Sequence, residues 1–166
     1  MEAPTRSKPG QVAIDLGLKP GGLEKVAQGL ARVLADSYIL YLKTQNFHWN
    51  VTGPNFGELH AMFEQQYKDL ALAVDELAER IRAIGQFAPG SFKQFSALAE
   101  VEEEPDVLPA DGMITALAAD HECVVRRMRG VLATAESVDD EETGDIMIRR
   151  MQAHGKHAWM LCSYLQ

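Results

Sequence analysis

The sequence predicts an all-α protein, a bundle of four long helices with a long connection in the middle. Three observations carry this. Apolar residues recur at i, i+3, i+4 and i+7 through four stretches. No strand-like alternation of useful length occurs between them. The first and last connections are short, and the middle one is long.

Residues 1–20 hold three Pro and two Gly, with Arg6 and Lys8, and read as an N-terminal extension with a mobile start. The domain is expected over residues 21–166. Its first long helix is expected from about 21 to about 50, on Leu23, Val26, Leu30, Val33 and Leu34, ending near Gly53-Pro54. The second runs from about 56 to about 84, on Phe56, Leu59, Phe63, Leu70 and Val74, with Gly85 as its stop. The middle connection spans residues 86 to about 109. Within it residues 91–99 suit a short helix capped by Ser91, and Glu102-Glu103-Glu104-Pro105 breaks it. The third long helix covers about 111 to 135, with Leu117, Val124, Val125, Met128 and Leu132 inside. A short linker leads to the fourth, from about 140 to 164. The short last loop makes those helices antiparallel neighbours, and the long connection lets the third start at the other end. That is the ferritin-like topology rather than a plain up-down bundle.

At 166 residues the chain suits one domain, with 46% hydrophobic and 24% charged residues, an ordinary globular composition. No apolar run reaches the length of a membrane span. Met1-Glu2-Ala3-Pro4 lacks the basic start and apolar core of a signal peptide, so a cytoplasmic protein is expected. Cys123 and Cys162 form no zinc-type spacing and are expected as buried free thiols. A net charge of −8 argues against general nucleic-acid binding and suits a protein that gathers cations, or simply one that stays soluble.

Chemistry concentrates around the first turn. His48 and His60 flank Gly53-Pro54. On the second helix His60, Glu64, Lys68, Asp75, Glu79 and Arg82 fall within a polar strip roughly 100° wide. Imidazole plus carboxylate suits iron or zinc. Along a continuous helix, however, His60 and Asp75 stand about 22 Å apart. Metal–ligand bonds are about 2 Å, so one ion cannot touch both within one chain. The chain carries a histidine half, His48, His60 and Glu64, and a carboxylate half, Asp75 and Glu79. Antiparallel pairing of the second helix with its copy would complete two sites per dimer. The bland alternative is that Glu64/Lys68 and Glu79/Arg82 are helix salt bridges on a solvated face.

Asn46-Phe47-His48-Trp49-Asn50-Val51, then Gly53, Phe56, Leu59-His60, Phe63-Glu64, Tyr67 and Asp75 with Ala78-Glu79-Arg80, closely resemble the signature of the Dps family of mini-ferritins. The similarity covers nearly the whole chain, down to Lys156-His157-Ala158-Trp159-Met160. The resemblance implies a hollow shell of twelve subunits with ferroxidase sites at twofold interfaces. His48 and His60 of one subunit would join Asp75 and Glu79 of another, and Glu64 matches an acidic position able to bind a second iron. The implied chemistry is oxidation of Fe(II), preferentially by hydrogen peroxide, and storage of a ferric mineral. No ExxH pair of the larger ferritins is present.

The family places an aromatic near the iron site where Trp49 stands. It either intercepts stray oxidising equivalents or packs at the dimer interface. Glu141 and Asp145, with Glu136, match positions lining a threefold entry pore. Acids at a helix N-terminus also favour the macrodipole. Tyr38, Tyr41 and Trp159 are expected in the core. His121, His154 and His157 match no ligand role. The i, i+3 pair His154/His157 could hold a metal weakly, but a capped or surface role is the expectation. DNA binding in the family rests on a basic tail, and here the extension offers Arg6 and Lys8 against Glu2. Repulsion between DNA and the negative shell is expected to win.

Overall fold

The computed structural model describes residues 14–19 and 21–166. The extension expected over residues 1–20, with Arg6 and Lys8, lies mostly outside them. The described residues form five helices and no strand: α1 (Leu23–Asn50), α2 (Phe56–Ala83), α3 (Phe92–Leu98), α4 (Ala110–Glu136) and α5 (Glu141–Tyr164). The ends fall within about two residues of the expectation, and their chemistry explains them. Ser91 accepts from the N–H of Gln94 at the start of α3, and Asp140 from that of Thr143 at the start of α5. Gly53 and Gly85 adopt φ of 113° and 85°, which favours glycine, so both turns are tight.

Contacts across the bundle give its topology. Lys43 of α1 meets Asp120 of α4 at 2.6 Å, and Asp36 meets Arg127 at 3.0 Å. Nearer the start of α1, Gly29 lies against Val131 and Gly22 against Val138, so close that a Cβ on Gly22 would collide with a Val138 methyl. Residue numbers rise on α1 as they fall on α4, so the two are antiparallel. On the other side Asp69 pairs with Arg150 and Glu58 with Tyr164, so α2 and α5 are antiparallel too. Since α1 and α2 form a hairpin, α2 and α4 run parallel, and only a long crossover can join them. Residues 84–109 are that crossover, and α3 packs on α1 within it.

A buried carboxylate anchors the crossover. Asp36 is fully buried and accepts from the backbone N–H groups of Glu100 and Val101 at 2.6 and 3.0 Å. Arg127 pairs with Asp36 and donates to the carbonyl of Leu98. Among the described residues the core forms one cluster in which Phe47, Phe63, Leu30, Leu77, Ile114 and Met128 are almost fully buried.

Some side chains fall elsewhere than expected. Trp159 is 67% exposed rather than in the core. Cys123 is only partly buried and Cys162 is exposed, though both are free thiols. His154, expected capped or at the surface, is fully buried, and His121 is buried with it. A signal was available: His154 shares the helical phase of Met147, Ala158 and Leu161, and His121 that of Ile114, Leu117 and Met128.

Candidate metal centre

His48 lies in the last turn of α1 and His60 in the second turn of α2, and the turn through Gly53 folds them face to face. Their ring centroids are 3.7 Å apart and their planes 22° from parallel. The Nδ1 of His48 lies 2.8 Å from the carbonyl oxygen of His60, and the Nδ1 of His60 lies 2.9 Å from that of His48. A carbonyl only accepts. Both Nδ1 atoms therefore carry the proton, and each Nε2 keeps a bare lone pair. This is how proteins orient histidines for a metal, by fixing the tautomer through the other nitrogen. The bond to His48 has a second effect, because that carbonyl is among the last of α1 and lacks a helical partner. Tyr67 stands edge-on to His48, with ring centroids 5.2 Å apart, and Phe56 flanks His60 at 5.1 Å.

Glu64 follows one turn after His60. It hydrogen-bonds to Lys68, so the helix salt bridge expected as the bland alternative does form in the single chain. That hydrogen bond and the Lys68 charge, with the two imidazoles beyond, hold Glu64 below the usual carboxylate range. Glu64 thus sits within electrostatic reach of the histidine pair.

Asp75 and Glu79 are exposed on the same helix. Because α2 is unbroken from Phe56 to Ala83, the two halves stay about 22 Å apart. Among the described residues, no three His, Cys, Asp or Glu side chains converge closely enough to hold a metal ion. Asp75 borders a groove with Leu72, Ala78 and Pro89. Tyr38 and Phe95 line this groove and also a second one that holds Leu42, Asn46, Trp49 and Phe92. Trp49, Phe92 and Leu72 are 61%, 64% and 76% exposed. Apolar surface thus runs from Trp49, next to His48 in the chain, to the groove beside Asp75, and isolated domains seldom leave such surface open.

At the turn between α4 and α5, Glu136, Glu141 and Asp145 line one depression together with Asp139. The structure brings these three together as a patch. Arg149 pairs with Asp145 at 2.9 Å and with Glu76 at 2.7 Å, which offsets part of the charge. Beneath the patch Asp140 is buried against Arg80, which also donates to the hydroxyl of Thr143 at 2.9 Å.

The model of the Ferritin-like domain family matches residues 27–166. An uncharacterised low-temperature-induced protein of Nostoc sp. is 37% identical over 155 residues, covering 92% of this chain and 87% of its own. DNA protection during starvation protein 2 of Bacillus anthracis is 35% identical over 142 residues, covering 86% of this chain and 97% of its own. Among solved structures, the Dps protein of Vibrio cholerae O1 superposes with a TM-score of 0.87 at 32% identity, over 93% of this chain and 98% of that one. It is described as a member of the ferritin-like diiron-carboxylate superfamily. A Dps protein of Bacillus brevis gives 0.86 at 33%, over 89% and 99%.

Proposed function

Because the chain belongs to the ferritin-like family, as a mini-ferritin of the Dps type, we propose that it oxidises Fe(II) at sites shared by two copies and stores the ferric product inside a shell of twelve. The observation that carries this reading is the locked histidine pair. Two imidazoles present bare Nε2 atoms, while the carboxylates needed to complete a site lie far along the same unbroken helix.

In this reading His48 and His60 hold Fe(II) through Nε2, and the partner's Asp75 and the partner's Glu79 close the site. Carboxylates are hard and anionic and favour Fe(III) over Fe(II). Glu64 would turn from Lys68 to a second iron. With hydrogen peroxide, two Fe(II) give up one electron each, the O–O bond breaks, two protons are taken up and two waters form. No hydroxyl radical is released in that balance. Trp49, beside His48 on the open apolar face, is placed either to meet a second copy or to intercept a stray oxidising equivalent. Zinc would compete for the same imidazoles in vitro. Glu136, Glu141 and Asp145 would face a threefold axis and draw Fe(II) inward.

The test is peroxide-driven Fe(II) oxidation by stopped flow. His48→Ala with His60→Ala should slow it at least about tenfold while the shell stays assembled. A wild-type rate in that variant would refute the assignment. No helix among the described residues is long and apolar enough to cross a membrane, and the cytoplasm is the compartment we propose. The names of the relatives favour a second reading, DNA protection by binding. The charge of −8 per chain opposes it. A gel shift at low and moderate salt decides between them: no retardation at either salt leaves iron chemistry as the function.

A further inference from the structure

Three of the four tyrosines of the chain stand in one row that starts at the histidine pair. Tyr67 of α2 meets His48 edge-on, with ring centroids 5.2 Å apart and planes at 69°. Tyr41 of α1 lies next, 6.2 Å from Tyr67 and at 67° to it. Tyr38 follows one turn back, 5.9 Å from Tyr41 and at 74°. The row ends on phenylalanines: Tyr38 stacks on Phe95 at 4.6 Å and meets Phe92 edge-on at 6.1 Å. Every step is a direct ring contact. All three tyrosines are partly exposed, so a phenol proton can pass to water and return. The fourth, Tyr164 of α5, bonds Glu58 instead.

Phenylalanine would pack in these places as well as tyrosine does. What it cannot do is give up one electron together with a hydroxyl proton. Electron counting gives the row a task. Hydrogen peroxide takes two electrons when its O–O bond breaks, and one Fe(II) supplies one. The histidine pair offers its two lone pairs to one iron. Glu64, the candidate ligand for a second, is bonded to Lys68. An iron that meets peroxide alone therefore leaves one oxidising equivalent over, beside the ring of Tyr67.

We propose, on the iron reading above, that Tyr67, continued by Tyr41 and Tyr38, is a one-electron reservoir for this site. It lets iron bound one ion at a time complete the two-electron reduction of peroxide. In the first step Fe(II) and Tyr67 give one electron each, that of Tyr67 crossing the His48 ring. The O–O bond breaks and the phenol proton leaves. The products are Fe(III), a neutral tyrosyl radical, one hydroxide and one water. Electron transfer from Tyr41 to Tyr67, and then from Tyr38 to Tyr41, moves the radical away from the site. At each transfer the donor ring loses its phenol proton and the acceptor ring regains one. The phenylalanines beyond Tyr38 confine the radical, because a benzene ring without a hydroxyl is much harder to oxidise. In the second step a fresh Fe(II) at the same histidines returns one electron, one proton is taken up, and the phenol is restored. The sum is two Fe(II) oxidised for each peroxide, with no hydroxyl radical released.

The test is electron paramagnetic resonance on the intact protein, given one Fe(II) per site and one peroxide and then freeze-quenched. A radical signal should appear, and it should narrow in protein made with ring-deuterated tyrosine. A second Fe(II) should erase it. Tyr67→Phe, which keeps the ring and its packing, should lose the signal and release hydroxyl radical to a spin trap. Tyr164→Phe should keep the signal. No signal in the wild type, or one undiminished in Tyr67→Phe, would overturn the proposal. A signal that fails to narrow would pass the role to Trp49 and overturn it too. If Tyr67→Phe does not fold, Tyr164→Phe decides, since the only tyrosines it retains are those of the row. A narrowing signal there assigns the radical to the row, and its loss refutes the row. Failure of the iron reading looks different, because Fe(II) oxidation would then keep its wild-type rate in His48→Ala/His60→Ala. Oxidation that needs both histidines yet leaves no tyrosyl signal overturns the reservoir alone.

Discussion

At the residue scale the two histidine pairs, at the first turn and in the core, differ in their surroundings. At the first turn each Nδ1 proton is given to a backbone carbonyl, so each Nε2 is free toward a ligand. His60→Ala should therefore lose activity and stability together: at least about a tenfold drop in Fe(II) oxidation, and about 1–3 kcal/mol in urea unfolding from the stranded carbonyl. The spacing of His48 and His60 was legible in sequence. Their reciprocal bonds were not, because they depend on how the chain turns through Gly53. In the core, burial pushes His154 down to about 3 and His121 well below the usual imidazole range, with neighbouring charges adding to the effect. The unfolded chain binds these protons near pH 6.5. For His154 stability is thus complete above about pH 6.5 and lost as pH falls toward about 3, by up to about 1.4 kcal/mol per pH unit, and His121 acts in the same direction. Asp69 acts in the same direction at lower pH. Burial pushes it up, but its bonds to His157 and Arg150 win and hold it well below the usual range. Asp36 and Asp120, raised by burial, act against the trend. Urea titrations of wild type and His154→Gln across pH 7 to 4 should therefore diverge, the variant losing less on acidification. Parallel curves would mean that His154 does not take part.

At the element scale the helices were legible because their apolar phases and their caps agree. Ser91, the cap read from the sequence, accepts from the Gln94 N–H, and Asp140, where the fourth helix was expected to begin, caps it through the Thr143 N–H. What holds the elements together was less legible. Asp36 pins the crossover through contacts to residues more than sixty positions away, and no local pattern announces such a partner. The buried pair of Arg80 and Asp140 is similar, tying the last turn of α2 to the first of α5. Asp140→Ala removes a cap and strands a buried guanidinium, with only the exposed Glu142 left as its carboxylate partner at 2.8 Å. Urea unfolding should report a loss of about 3 kcal/mol or more. A loss under about 1 kcal/mol would show that Glu142 alone suffices for Arg80. The acidic patch above it tests differently. Glu141→Gln with Asp145→Asn should slow Fe(II) uptake most at low iron and low ionic strength, with recovery near saturation. An unchanged rate under those conditions would reduce both residues to helix-end acids, with Asp145 serving Arg149.

At the scale of the whole molecule, the proposed assembly rests on the axial separation along α2. A helix with no break carries histidines at one end and carboxylates towards the other, and the single chain cannot fold them together. In the proposed assembly the exposed apolar residues Trp49, Phe92 and Leu72 would offer a surface to a second copy. The sequence spacing was enough to suggest a partner for a shared site. It could not say which face meets it, because that depends on which apolar residues the fold leaves uncovered. Light scattering should find a large closed oligomer, and an active monomer would contradict the shared site. The most direct measurement is complementation between two inactive proteins. One carries His48→Ala and His60→Ala, the other Asp75→Ala, and they are mixed, dissociated and reassembled together. In each hybrid pair one site has lost both halves and the other is intact. Random mixing should therefore restore about a quarter of the wild-type sites and a matching share of the peroxide-driven Fe(II) oxidation. Verified hybrid shells that remain as inactive as their parents would contradict the account, because the two halves would then not meet across chains.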